Sequence, residues 1–135
     1  MTVGRDHTLA ALEPIPSNAR VEQFIPQAEL LPSCAAIVHH GGAGTTFGAL
    51  AHGGRQVILP QGADNYELAA MCEQAGAAQV LRPHDVTAAN LAAAVRNVLR
   101  GQRFAEAGRA CAAEVASMPD AAMTVAALHA WIDAR

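Results

Sequence analysis

The chain has 135 residues, a formal charge of −3, 52% hydrophobic residues and 16% charged ones. A single domain of this length, taken here as 1–135, buries roughly two thirds of its unfolded surface, enough for one core without disulfide staples. The composition excludes a disordered chain, the acidic balance argues against nucleic-acid partners, and no apolar run approaches the ~20 residues of a membrane span.

In chain order, Thr2-Val3-Gly4 reads as the end of a strand whose beginning is missing. Arg20–Ile25 alternates apolar and polar residues and predicts a strand, ended by Pro26, with room for one helical turn at Gln27–Leu31. Ala35–His39 is a near-continuous apolar run, as expected for a strand buried on both faces. Glycines at 41–44 break it, and Thr45–His52 reads as a short helix. Gln56–Leu59 is a second buried strand, stopped by Pro60. Asn65–Ala75 is a helix with Leu68, Met71 and Cys72 on one face and Gly76 as its C-terminal cap. Gln79–Leu81 is a third strand. A helix follows at Thr87–Leu99, with Thr87 as N-cap and a stripe of Leu91, Val95 and Leu99. Two more helices follow, Gln102–Ser117 and Ala121–Ala134, the latter opened by Pro119-Asp120. Strand and helix alternate and helices close the chain, the pattern of an α/β fold with a parallel sheet.

The three cysteines, Cys34, Cys72 and Cys111, are odd in number and sit in apolar surroundings, so they read as small core residues of a reducing compartment. With no secretory signal pattern at the start, the expected location is the cytoplasm. Every basic side chain is an arginine.

Three clusters fall at strand ends. The first is His39-His40-Gly41-Gly42-Ala43-Gly44-Thr45-Thr46, between a strand and a helix. Backbone N–H groups and a helix N-terminus converge on an anion at such a turn; the same glycines also suit tight strand-to-helix packing. A phosphate-binding Walker loop is excluded because it needs a lysine. A dinucleotide fingerprint fails because Phe47 stands where its third glycine belongs, and serine hydrolysis fails because none of Ser17, Ser33 and Ser117 lies in a glycine elbow. His39 and His40, as neighbours on a strand, point to opposite faces and are poor co-ligands for one metal. The second cluster is Pro60-Gln61-Gly62-Ala63-Asp64-Asn65. Loops at the C-terminal ends of parallel strands share one rim, where ligands bind. A carboxylate beside an amide suits the hydroxyls of a sugar, and either residue would equally serve as a helix N-cap. The third cluster is Phe24-Ile25-Pro26-Gln27, where the ring would stack on a base or fill core.

His40-Gly41-Gly42 with Gly44-Thr45-Thr46, followed by Leu59-Pro60-Gln61-Gly62-Ala63-Asp64-Asn65, resembles the donor-binding signature of GT-B glycosyltransferases. The likeness is greatest to the bacterial enzymes that glycosylate macrolides, aromatic polyketides and other natural products, and it runs over nearly the whole chain. The resemblance implies a Rossmann-like parallel sheet flanked by helices, the C-terminal half of a GT-B fold with its first strand missing. It implies that Phe24 stacks on the base and that the Ile25 backbone reads its edge, with Gln27 nearby. His40 would contact the diphosphate, Gly42, Ala43, Gly44, Thr45 and Thr46 would cradle it, and Asp64 and Asn65 would hold the sugar, helped by Gln61. The donor implied is a UDP- or TDP-sugar and the product a hexosylated hydroxyl, as in antibiotic biosynthesis, with no metal and no separate cofactor. The catalytic base would lie in an acceptor domain, in cis or in trans. Gly48 departs from the ribose-binding glutamate of plant relatives, Gly53-Gly54-Arg55 from the usual Gly-Val-Pro, and Leu68 from a common asparagine. The competing readings are a non-catalytic fragment or interaction subunit, associating with a partner or with itself through the missing-strand gap, and a sugar epimerase.

Overall fold

A computed structural model describes residues 1–4 and 8–134. Three short strands, β1 (Ile37–His39), β2 (Gln56–Ile58) and β3 (Ala78–Val80), form a parallel sheet in that spatial order. Val38 lies beside Val57 and Val57 beside Gln79. Six α-helices accompany them: α1 (Gln27–Leu30), α2 (Ala43–Ala51), α3 (Asn65–Gln74), α4 (Ala88–Arg100), α5 (Gln102–Ser117) and α6 (Ala121–Asp133).

The central strand explains the layering. Gln56, Val57 and Ile58 are all fully buried, because helices cover both faces of β2. Val57 points to one side, where Leu81, Ala94, Val98 and Phe104 close around it. Ile58 points to the other, against Ala69, Cys72 and Ala78. Small residues at the contacts let helix and sheet approach closely, which is how a chain with 4% aromatic residues fills its interior. The same economy holds between α5 and the turn after α2: a Cβ on Gly108 would sit 2.6 Å from the Gly53 carbonyl oxygen.

The caps follow local chemistry. Thr87 Oγ1 accepts the Asn90 N–H at 3.1 Å, and Asp120 Oδ1 accepts that of Met123 at 2.8 Å. After α3, Gly76 takes φ +74°. The Gly76 and Ala77 N–H groups then close back on Glu73 and Cys72, both at 2.9 Å, ending the helix.

The structure departs from the sequence expectations in four places. The strand expected to be buried on both faces, β1, lies at the edge of the sheet: none of its residues is buried and Val38 is 45% exposed. Arg20–Ile25 is not a strand. Glu22 forms one isolated parallel bridge to Thr2, held by Val3 N–H to Glu22 O at 3.1 Å and Glu22 N–H to Met1 O at 3.0 Å. A ladder needs a facing strand, and among the described residues the bridge is confined to these first ones. In α3 and α4 the buried stripe is Ala69–Cys72 and Ala94–Val98, whereas Met71 (66% exposed) and Leu99 (40% exposed) turn outward. Each outward residue lies one position, about 100°, from the buried one. Finally, α2 starts two residues early, at Ala43, so Ala43 and Gly44 are helix rather than loop.

Along β1, the N–H of Ile37 donates to Arg55 O and the carbonyl of His39 accepts from Leu59 N–H, the two residues flanking β2; in a parallel ladder the polar backbone of Val38 then faces the other way. That edge opens on a groove of about 670 Å³, with Met1 and Thr2 among its lining residues and Val38, Leu91 and Val95 among the others. All described residues of α6 are exposed, including Met123, Val125, Leu128, Trp131 and Ile132. No helix among the described residues is long and apolar enough to cross a membrane. The three cysteines are free, with Cys72 buried.

Candidate functional site

The turn between β1 and α2 is shaped by one backbone conformation. Gly41 is buried at φ +91°, a region that side chains rarely enter. A Cβ there would meet Ile58 Cγ2 at 3.1 Å, Asn65 O at 3.2 Å and Asn65 Cβ at 3.3 Å. The contact ties the turn after β1 to the head of α3, so the first two sequence clusters meet on one rim of the sheet.

Gly42 then adopts extended angles as the N-cap of α2, and no side chain caps that helix. The first-turn N–H groups, at Ala43, Gly44 and Thr45, therefore have no acceptor within the helix, and with the helix dipole they make an anion-attracting end. His40 closes over this end: a Cβ on Gly42 would lie 2.5 Å from His40 Nε2. The space over Gly44 is open, with no atom within 4 Å of its Cβ position. Thr45 Oγ1 pairs with the Gln27 amide, 2.9 Å from Nε2, which fastens α1 to the first turn of α2. Thr46 faces the interior. Its side chain is fully buried and its hydroxyl donates to the Gly42 carbonyl at 3.0 Å, so it braces the turn from below.

Below the turn, His39 sits between two partners. Its Nδ1 accepts the Gly41 N–H at 3.1 Å, and its Nε2 lies 2.9 Å from Gln56 Oε1. Burial holds the His39 pKa below its ordinary 6.5; the Gln56 bond opposes that shift and the nearby His40 adds to it.

On the neighbouring loop Gly62 takes φ +125° and Ala63 φ +47°. A non-glycine residue in the left-handed region stores about 1–2 kcal/mol of strain, here in the turn that leads to Asp64. Among the described residues, neither an N-cap hydrogen bond nor an ion pair occupies the Asp64 carboxylate, although it stands at the N-cap of α3. The capping role open to it in the sequence is therefore not taken up, and its oxygens face solvent. The loop is closed by Asn65 N–H to Gly62 O at 3.1 Å.

Ile25, Gln27, His40 and Thr45 all line the groove beside β1. Phe24, the residue before Ile25, is not among the groove's lining residues and is 61% exposed, and Gln61 is exposed. Sequence reasoning quoted His39 and Gly41 within the glycine cluster without giving either a site role, and overlooked Gln56. The available signal was a glutamine inside an otherwise apolar buried strand, diagonal to a histidine that precedes two glycines. Among the described residues, no three His, Cys, Asp or Glu side chains converge to hold a metal.

Comparison with known proteins gives a consistent result. Residues 3–131 match the family model of the erythromycin biosynthesis protein CIII-like C-terminal domain. The chain is 40% identical over 115 residues to elloramycin glycosyltransferase ElmGT of Streptomyces olivaceus, covering 85% of this chain and 28% of that relative. Among solved structures, the glycosyltransferase VinC in complex with dTDP superposes with a TM-score of 0.84 at 36% identity, over 88% of this chain and 30% of that one. The calicheamicin glycosyltransferase CalG4 superposes with a TM-score of 0.92 at 25% identity, over 98% of this chain and 35% of that one. The chain thus spans about a quarter of the first curated relatives' length, and its α/β layers are those of the C-terminal half of GT-B glycosyltransferases.

Proposed function

We propose, for a chain that belongs to the family of erythromycin biosynthesis protein CIII-like C-terminal domains, that it binds the nucleoside diphosphate sugar donor of a glycosyltransferase. The observation that carries this is the junction at Gly41, where an uncapped helix N-terminus under His40 meets the loop bearing Asp64 and Asn65. Breaking the anomeric C–O bond of such a donor leaves the electron pair on the diphosphate oxygen. The growing negative charge falls beside the N–H groups of Ala43, Gly44 and Thr45 and the His40 imidazole, which are oriented before the reaction begins. Asp64 and Asn65 offer acceptors and a donor to the sugar hydroxyls. Ile25 and Phe24 stand at the base end, with Gln27 holding Thr45 in place. The dTDP bound to VinC supports a thymidine diphosphate donor. The hexose acceptor is a small-molecule hydroxyl, and its proton leaves to a base supplied by an acceptor-binding part, in cis or in trans. The fixed dipoles stand where other transferases use a divalent ion, so binding is metal-independent.

Isothermal titration with dTDP and UDP tests this. A dissociation constant below the millimolar range is expected for at least one of them, lost in His40→Leu. No heat with either nucleotide at millimolar concentration overturns the reading. A second reading, an interaction subunit, is favoured by the exposed apolar residues of α6. It predicts concentration-dependent association in sedimentation without nucleotide binding.

A further inference from the structure

We infer that His39 is a positioning residue for the diphosphate turn, and that Gln56 fixes its tautomer. The inference rests on the donor-site reading above. It follows from a chain of donors and acceptors that begins at a group whose role cannot change. The Gly41 N–H is a backbone donor, so His39 Nδ1, 3.1 Å away, must be an acceptor and carries no proton. In the neutral imidazole the proton then resides on Nε2, which donates to Gln56 Oε1 at 2.9 Å.

Gln56 is the outlier that gives this weight. It is fully buried, and its Nε2 has no hydrogen-bond partner among the described residues. Buried polar groups are almost always paired. An apolar side chain in the middle strand would remove that penalty, but it would leave the Nε2–H of His39 without an acceptor. The turned amide, which would present Nε2 to the imidazole, would place two donors face to face. The strand thus keeps an unsatisfied amide in exchange for one imidazole orientation.

The His39 bond spans residue i to i+2, the pattern of an Asx turn, in which an asparagine or aspartate side chain accepts the N–H two residues on. It fixes Gly41 in its left-handed conformation, and with it the entry angle of His40 and Gly42 onto α2. His39 itself touches no ligand in this account; it acts through Gly41.

The geometry makes two conservative variants unequal. In His39→Asn the amide oxygen stands as many bonds from the backbone as Nδ1 does and restores the Asx turn. In His39→Gln the polar atoms reach only as far as Nε2, towards Gln56, and the Gly41 N–H is orphaned. Titration with dTDP should show His39→Asn within about threefold of the parent and His39→Gln weakened about tenfold, a typical worth for one such bond. Equal affinity of the two variants, or the reverse order, overturns the inference. A parent chain that binds neither dTDP nor UDP refutes the donor-site reading instead. Nitrogen NMR of the unliganded parent settles the geometry without ligand or variant: a bare Nδ1 and a protonated Nε2 on His39 are expected, and a protonated Nδ1 overturns it.

Discussion

Replacing Gly41 by alanine probes the site and the fold together. The new methyl group would stand 3.1 Å from Ile58 Cγ2, 3.2 Å from Asn65 O and 3.3 Å from Asn65 Cβ, on a backbone at φ +91°. The left-handed conformation costs about 1–2 kcal/mol, and displacing packed neighbours about 1–3 more. A total near 3 kcal/mol is smaller than the ~5–15 kcal/mol that stabilises a domain. The variant therefore folds, and its melting temperature falls by about 10 °C. Relief comes from separating the turn from the head of α3, the two halves of the donor site. Affinity for dTDP should then drop at least about tenfold, or ~1.4 kcal/mol. Thermal denaturation and calorimetry on the same preparation give both numbers. A variant that melts and binds like the parent refutes the argument that Gly41 joins the two loops.

Gly44→Ala makes the opposite separation. Its Cβ enters open space and removes a flexible residue from a helix, so stability should hold or rise by up to about 1 kcal/mol. The methyl group occupies the approach to the first-turn N–H groups, and dTDP binding should weaken; unchanged binding contradicts that placement. Asp64→Ala should leave the melting temperature within about 0.5 kcal/mol equivalent, because the carboxylate makes no capping bond. It should weaken a dTDP-hexose while sparing dTDP, and equal losses for both would contradict a sugar-holding role. His39 gives the fold a pH dependence of known sign. Its folded-state pKa lies below the ordinary 6.5, so the unfolded chain takes up the proton first. Its contribution is complete above about pH 6.5 and shrinks as the pH falls through the folded value. The urea midpoint should decrease from pH 7.5 to 5, less steeply in His39→Asn; a slope unchanged by the substitution contradicts the assignment.

The strand and helix order was legible from two signals: apolar runs at β1 and β2, and capping residues such as Thr87 and Asp120 at helix starts. Arg20–Ile25 misled because alternation records one buried face but not the partner strand a ladder requires. Met71 and Leu99 misled because in an alanine-rich helix the close contacts belong to Ala69 and Ala94, which hydropathy ranks below the bulkier side chains. At the site, the glycines and the Asp64-Asn65 pair stand out by residue type alone. The His39–Gln56–Gly41 arrangement does not, since it depends on register: His39 pairs with Ile58, which places its ring diagonal to Gln56. Thr46 looks like a ligand residue in the sequence and proves to be the brace beneath the turn, because α2 begins at Ala43 and so turns that side chain inward.

The most direct test of the account is an amide-resolved NMR titration of this chain with dTDP. The account predicts that the largest shifts fall on Gly42, Ala43, Gly44 and Thr45, with a second group from Gly62 to Asn65. The opposite cleft, about 210 Å³ and lined by Pro32, Arg55 and Arg109 among others, should stay silent. Shifts confined to that arginine-lined cleft, with the turn after β1 unmoved, would contradict it.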